Sequence, residues 1–139
     1  MRKKYLLIAS TAIQYNNKFL VIQHPESKSA AGILAFPGGK VEQQDESNDL
    51  DILRNAAKRE VLEEVGIDLK TELQYITSAF FQGVDNIPII DTIFHSILEE
   101  EPLIVISPRE IQCYFWMTAD EIMQSEKATW IKDQVKLIV

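Results

Sequence analysis

Glu60, Glu63 and Glu64 stand at i, i+3 and i+4 in the stretch REVLEEVGI, residues 59–67. On a helix that spacing sets the three side chains beside one another, within one sector of about 100°. Like charges so placed destabilise a helix unless something positive lies between them. A charged helix flank would supply Lys58 and Arg59. A carboxylate cluster would instead hold a hard divalent cation, and Mg²⁺ favours carboxylate oxygens while keeping several waters. The apolar positions Leu50, Leu53, Ala57, Val61 and Val65 recur at three or four residues and form one face. Glu60 and Glu64 lie beside that face, at the edge of a core, where an uncompensated charge is costly.

Upstream, AFPGGKVE (residues 35–42) ends a short apolar run with Pro37, Gly38 and Gly39. Adjacent glycines let backbone approach a ligand closely and leave amides and carbonyls free. A glycine pair alone is more often a turn than a site. Here it leads into the helix that carries the acids. A strand end, a glycine loop and a carboxylate-faced helix together form a compact site for a metal and a polyphosphate.

These residues need a scaffold to hold them. YLLIASTAIQY (5–15) and KFLVIQH (18–24) read as strands joined by an Asn16-Asn17 turn. The pattern turns helical from about Ser47 to Val65, with Ser47 or Asp49 as cap and Gly66 as stop. ELQYITSAFFQ (72–82), IPIIDTIFHSILEE (87–100) and IQCYFWMTA (111–119) read as further strands. Residues 119–139 read as helix, in one or two pieces. Strands, a long helix, strands and a closing helix imply an α/β fold with a mixed sheet covered by helices, as a single domain over 1–139.

Composition fits a globular chain, 46% hydrophobic and 25% charged over 139 residues. The net charge of −7 argues against nucleic acid as a partner. It leaves nucleotides open, because a bound cation inverts the local sign. Cys113 is the only cysteine, so no internal disulfide forms. The basic-then-apolar start, MRKKYLLIASTAIQY, is too short and too interrupted for a membrane span and reads as a first strand. The expectation is a cytoplasmic protein with no membrane partner.

The stretch Gly39–Ile67 resembles the Nudix box, G-x5-E-x7-R-E-U-x-E-E-x-G-U with U aliphatic. Arg59 to Ile67 match its second half without a gap, and Pro37 to Glu42 match its start. The order of strands and helices is similar as well, and FWMTADEI (115–122) resembles a strand-to-helix segment common in the family. One departure stands out: Gly39 and Arg59 are twenty residues apart where the pattern has fourteen. Counted forward from Gly39, the isolated box acid falls on Asp45; counted back from Arg59, on Asp51; Glu46 is also within reach.

The resemblance implies a Nudix-type α/β/α sandwich and metal-dependent hydrolysis of a nucleoside diphosphate linked to another group, nucleoside triphosphates included. It carries the metal ligands onto Glu60, Glu63 and Glu64, with the Gly38 carbonyl as a backbone ligand and Mg²⁺, or Mn²⁺ in its place, as cofactor. Arg59 would orient a glutamate, most simply Glu63, through a bidentate pair. In some Nudix pyrophosphatases a further glutamate reaches the metal site from a loop well after the box. The matching position here is Glu110 in SPREIQCYF, nine residues before Ala119. Pro108 favours a loop there. The alternative class is a non-catalytic Nudix-fold nucleotide sensor, but every acidic metal position is kept. The arginine-containing signature of coenzyme A-cleaving members is not evident in VIQHPESKSAAG. Homodimers, common in the family, are compatible with the resemblance. His24 and His95 read as structural or exposed, Trp116 as core, Phe80, Phe81 and Tyr114 as packing, and Glu99-Glu100-Glu101 as a solvated turn.

Overall fold

A computed structural model describes residues 2–25 and 32–139. Residues 26–31, half of the stretch scanned for the coenzyme A signature, lie outside the described residues. β1 (Leu6–Tyr15) and β2 (Lys18–Gln23) form a hairpin. Its turn is Asn16-Asn17, with φ of 52° and 65°. Asparagine tolerates this left-handed region, and the two-residue turn it makes matches the twist of the flanking strands. β3 (Leu34–Ala35) and β4 (Gly38–Lys40) follow, then α1 (Ile52–Val65), β5 (Gln74–Gln82), β6 (Pro88–Leu98), β7 (Cys113–Thr118), α2 (Ala119–Gln124) and α3 (Lys132–Ile138).

The strands build one mixed sheet in the order β3-β2-β1-β6-β5, with β4 also paired to β1 and β7 to β2. β1 and β6 run parallel over ten residue pairs, from Leu6–Ile89 to Tyr15–Leu98. The other pairings are antiparallel. Alternation along the central strands sends side chains to two cores. Ala9, Ile13, Leu20, Ile22 and Phe94 meet Ala57, Val61 and Val65 of α1. Ala12, Phe19 and Val21 meet Ile122, Ile131 and Val135 of the C-terminal helices. The result is the expected α/β/α sandwich. Trp116, expected in the core, is half-buried against its α1 side.

The helix that carries the acids starts later than its sequence suggests. Gln43–Glu46 form a 3-10 turn, closed by a capping box between Glu42 and Asp45. Asp49 and Asp51 then take φ of 59° and 55°, a conformation no helix can propagate. Neither Ser47 nor Asp49 caps α1. Asp51 holds the cap position without a side-chain cap bond, its carboxylate turned to Arg54 at 3.1 Å. Leu50, read as part of the apolar face, precedes the helix and is 71% exposed. Gly66 ends α1 as expected, left-handed at φ 73°, its N–H bonded to the Leu62 carbonyl. The C-terminal helical stretch is in two pieces. Thr118 opens α2 with a capping box in which its hydroxyl accepts from the Glu121 N–H and its own N–H donates to the Glu121 carboxylate.

Candidate active site

α1 packs on β1 and β4 with its acid-bearing edge over the glycine pair. The approach is too close for any other residue. A Cβ on Gly39 would stand 2.5 Å from the Glu60 carboxyl carbon, and one on Gly38 would stand 2.6 Å from the Ala9 carbonyl oxygen. The Gly38 N–H donates to Glu64 Oε1 at 2.8 Å. The Gly38 amide thus anchors Glu64 within the cluster.

Glu60 and Glu64 are buried, with 8% and 3% of their surface exposed. Glu110 joins them from the β6–β7 loop, and one carboxylate oxygen from each of the three lies within 4.8 Å of the others. The loop is fixed to the helix end. The Val105 N–H bonds the Val65 carbonyl, and the Ser107 N–H bonds the Glu64 carbonyl, each at 2.9 Å. These bonds satisfy carbonyls that a helix terminus leaves free. Beyond Glu110, Ile111 is fully packed in the core and the Gln112 N–H bonds Gln23. The His24 ring Nδ1 lies 3.3 Å from the Glu110 carbonyl. Among the described residues, Glu110 Oε2 is buried without a hydrogen-bond partner.

Arg59 holds the outer side. Its Nε and Nη2 donate to the two oxygens of Asp45 at 2.8 and 3.0 Å, the bidentate geometry of a strong pair. Its Nη1 is shared between Glu60 at 2.9 Å and Glu63 at 3.0 Å, and Nη2 also meets the Lys40 carbonyl. The bidentate partner is therefore Asp45 rather than Glu63. Of the three candidates for the isolated acid, Asp45 alone is brought to Arg59 and is buried. Glu46 and Asp51 are exposed. Glu63 sits half-exposed at the rim, outside the three-carboxylate cluster.

The electrostatics follow from this packing. Arg59 bonding holds Asp45 below the usual carboxylate range, and Asp45 in turn raises Arg59. Burial pushes Glu60 up. Burial pushes Glu64 up to about 9, against the Gly38 N–H bond that favours its ionised form and with Glu60 and Glu110 adding repulsion. Without a cation, Glu64 therefore holds a proton at neutral pH.

The cluster opens into a cleft of about 1090 Å³. His24, Ser10 and Gly38 line it with the three glutamates, as do Phe80, Phe81, Asp91, Trp130 and Gln134. Phe81 stacks on Trp130 with ring centroids 6.0 Å apart, and Phe80 is 54% exposed. Tyr114 is not part of the cleft lining. His95 is buried away from it, its Nε2 2.8 Å from Gln14 Oε1, with desolvation lowering its pKa. Glu99-Glu100-Glu101 is exposed, as expected. Sequence reasoning passed over Asp91 and Ser10. Their one signal was a lone acid inside the apolar run IPIIDTIF.

No helix among the described residues is long and apolar enough to cross a membrane. No curated protein matches the chain. Three solved structures similar to it share its fold. A MutT protein from Methanosarcina mazei Go1 is 22% identical, with a TM-score of 0.79, over 98% of this chain and 94% of its own. A C. elegans Ap4A hydrolase, solved as a binary complex, is 18% identical with a TM-score of 0.76 over 96% and 94%. The NUDIX domain of Shewanella oneidensis NrtR, complexed with ADP ribose, is 13% identical with a TM-score of 0.78 over 99% and 88%. The NUDIX domain model matches residues 6–137, and this chain belongs to the NUDIX family.

Proposed function

We propose that this chain is a single-domain hydrolase that cleaves the phosphoanhydride of a nucleoside diphosphate linked to another group, with Mg²⁺ or Mn²⁺ as cofactor. The observation that carries this reading is the cluster of Glu60, Glu64 and Glu110, three buried or half-buried carboxylates within 4.8 Å and one of them with an unpartnered buried oxygen. Buried charge of one sign is costly unless paired, and an all-oxygen donor set suits a hard divalent cation. Glu60, Glu64 and Glu110 would hold that cation, with Glu63 as the outer carboxylate of the set. When bound, it would neutralise the diphosphate and acidify a water.

The chain's own residues do the rest. The Gly38 N–H fixes Glu64 Oε1, and Asp45 clamps Arg59 so that the guanidinium stays on the outer side of Glu60. Glu110 Oε2 has no competing hydrogen bond among the described residues and can take up the proton released on hydrolysis. The cleft lining gives a nucleoside an apolar and aromatic surface. The Ap4A hydrolase and the ADP ribose-bound NUDIX domain lend weight to a nucleotide substrate. A nucleotide sensor without turnover is the alternative, and the retained acids speak against it.

The test is a panel of nucleoside triphosphates, ADP-ribose and dinucleoside polyphosphates with product identification. Turnover should require Mg²⁺ or Mn²⁺ and vanish in EDTA. Undiminished hydrolysis in excess chelator, or nucleotide binding without any turnover, would overturn the hydrolase reading.

A further inference from the structure

Two of the three clustered carboxylates are aimed by a hydrogen bond of their own. Glu60 accepts from Arg59 Nη1 at 2.9 Å, and Glu64 Oε1 accepts from the Gly38 N–H at 2.8 Å. Glu110 differs. Its Oε2 is buried with no partner among the described residues, which leaves its aim to the backbone that carries it. Three hydrogen bonds fix that backbone. The Glu110 N–H donates to the Ser107 carbonyl at 3.0 Å, and the Ile111 N–H donates to the same carbonyl at 2.8 Å. The Glu110 carbonyl faces His24 Nδ1 at 3.3 Å. The Glu110 C=O and the Ile111 N–H belong to one planar peptide unit. That plane is held from both ends, and with it the direction in which the Glu110 side chain leaves the chain.

His24 is the side-chain member of this set, so it is the one that a substitution can remove. A carbonyl oxygen only accepts, and the ring hydrogen of the bond therefore sits on Nδ1. The ring reaches its place because β2 ends beside the loop. The Gln112 N–H bonds the Gln23 carbonyl at 2.8 Å, and Gln23 pairs with Cys113. The fold does not need His24 to keep the loop on the sheet, because the Gln112 bond and the packed Ile111 already do that. What the His24 bond adds is local to the peptide that follows the acid. The ring also lines the cleft together with the three glutamates.

We propose that His24 is a positioning residue for the cation site, donating from Nδ1 to the Glu110 carbonyl so that the Glu110 carboxylate stays directed at Glu60 and Glu64. This rests on the reading of those three acids as the holders of a divalent cation. Groups that orient a metal ligand without touching the metal are worth about 10–100-fold in metal affinity. Here the bond goes to the ligand's backbone, and 3.3 Å is long for its kind. The lower end of that range, about tenfold, is the expectation.

The experiment measures Mn²⁺ binding to the full chain by calorimetry without substrate, alongside thermal melting. His24→Ala should weaken Mn²⁺ by about tenfold. Asparagine carries its amide nitrogen near the place of Nδ1, and glutamine near that of Nε2. His24→Asn, whose amide can still donate, should therefore stay within about threefold of the wild type, while His24→Gln should bind as weakly as His24→Ala. Glu110→Gln should weaken Mn²⁺ as well, and adding His24→Ala to it should cost no further affinity, because effects that run through one group do not add. A merely structural bond would lower the melting temperature and leave the affinity of the folded protein in place. If His24→Ala does not melt cooperatively, the comparison of Asn with Gln decides. Unchanged affinity in His24→Ala, an Asn variant no better than the Gln one, or a full further loss in the Glu110→Gln background overturns the assignment. Wild-type protein that binds no Mn²⁺ sinks the cation reading and this one with it. Wild-type binding that Glu110→Gln weakens and His24→Ala leaves intact sinks His24 alone.

Discussion

Glu64→Gln should make the metal-free protein more stable while removing its activity. Glu64 is 3% exposed and its pKa stands at about 9 against an ordinary 4.5. Below about pH 4.5 the native and unfolded chains both carry the proton, and Glu64 adds no pH dependence. Between there and about 9 the native state keeps the proton and the unfolded state releases it, so stability falls as pH rises. Above 9 the slope vanishes. Each unit is worth about 1.36 kcal/mol. At pH 7.5, three units above the ordinary value, the ceiling is about 4 kcal/mol. The cluster opens onto the cleft, and water entering there relaxes the penalty, so about half of that, near 2 kcal/mol, is the working expectation. Glutamine keeps an oxygen for the Gly38 N–H and carries no charge. In EDTA at pH 7.5 the variant should melt higher by about 8 °C for a chain of this length, with a flatter dependence on pH between 5 and 9. Saturating Mg²⁺ should stabilise the wild type more than the variant, because only the former gains binding energy in the folded state. A variant that melts at or below the wild type in EDTA, with the same pH slope, would refute the reasoning.

Glu110→Gln should cost at least about tenfold in kcat, as expected of a ligand or proton acceptor. A loss under twofold at every pH would return Glu110 to a structural role. Glu63→Gln, at the half-exposed rim, should cost less kcat than the roughly hundredfold or greater loss expected for Glu64→Gln. Equal losses would put both carboxylates in one inner set. Asp45→Asn breaks a buried bidentate pair and should destabilise the fold by about 3 kcal/mol at neutral pH. Because Asp45 is held below its ordinary pKa, its contribution is present above about pH 4 and lost as pH falls through its lowered folded value. The Asn variant should therefore lose less stability on acidification than the wild type, as read by denaturant midpoints across pH.

The helix and its acids were legible because a single periodicity carried them. Val61, Val65 and Ala57 set the buried face, and Glu60 and Glu64 followed at its edge. The start of α1 was not legible, because two left-handed aspartates interrupt a pattern that reads as continuous from Ser47. Asp45 could be named only as one of three acids, since choosing among them needs the path of the loop through space. Glu110 was reached by likeness. What puts it beside Glu64 is a pair of backbone bonds from residues 105 and 107 to the end of α1, and backbone bonds leave no trace in residue types. Asp91 and Ser10 belong to strands eighty residues apart, and only the parallel β1–β6 pairing brings them to one floor.

Residues 46–51, between Asp45 and the start of α1, have a use of their own. Arg59 grips Asp45 on one side of them and α1 begins on the other, so residues 46–51 form a detour whose two ends are pinned independently of its length. Such a detour is a natural port for engineering. A short epitope or a fluorophore-bearing peptide spliced between Ser47 and Leu50 should ride outside the carboxylate cluster, reporting on the protein without entering the cleft.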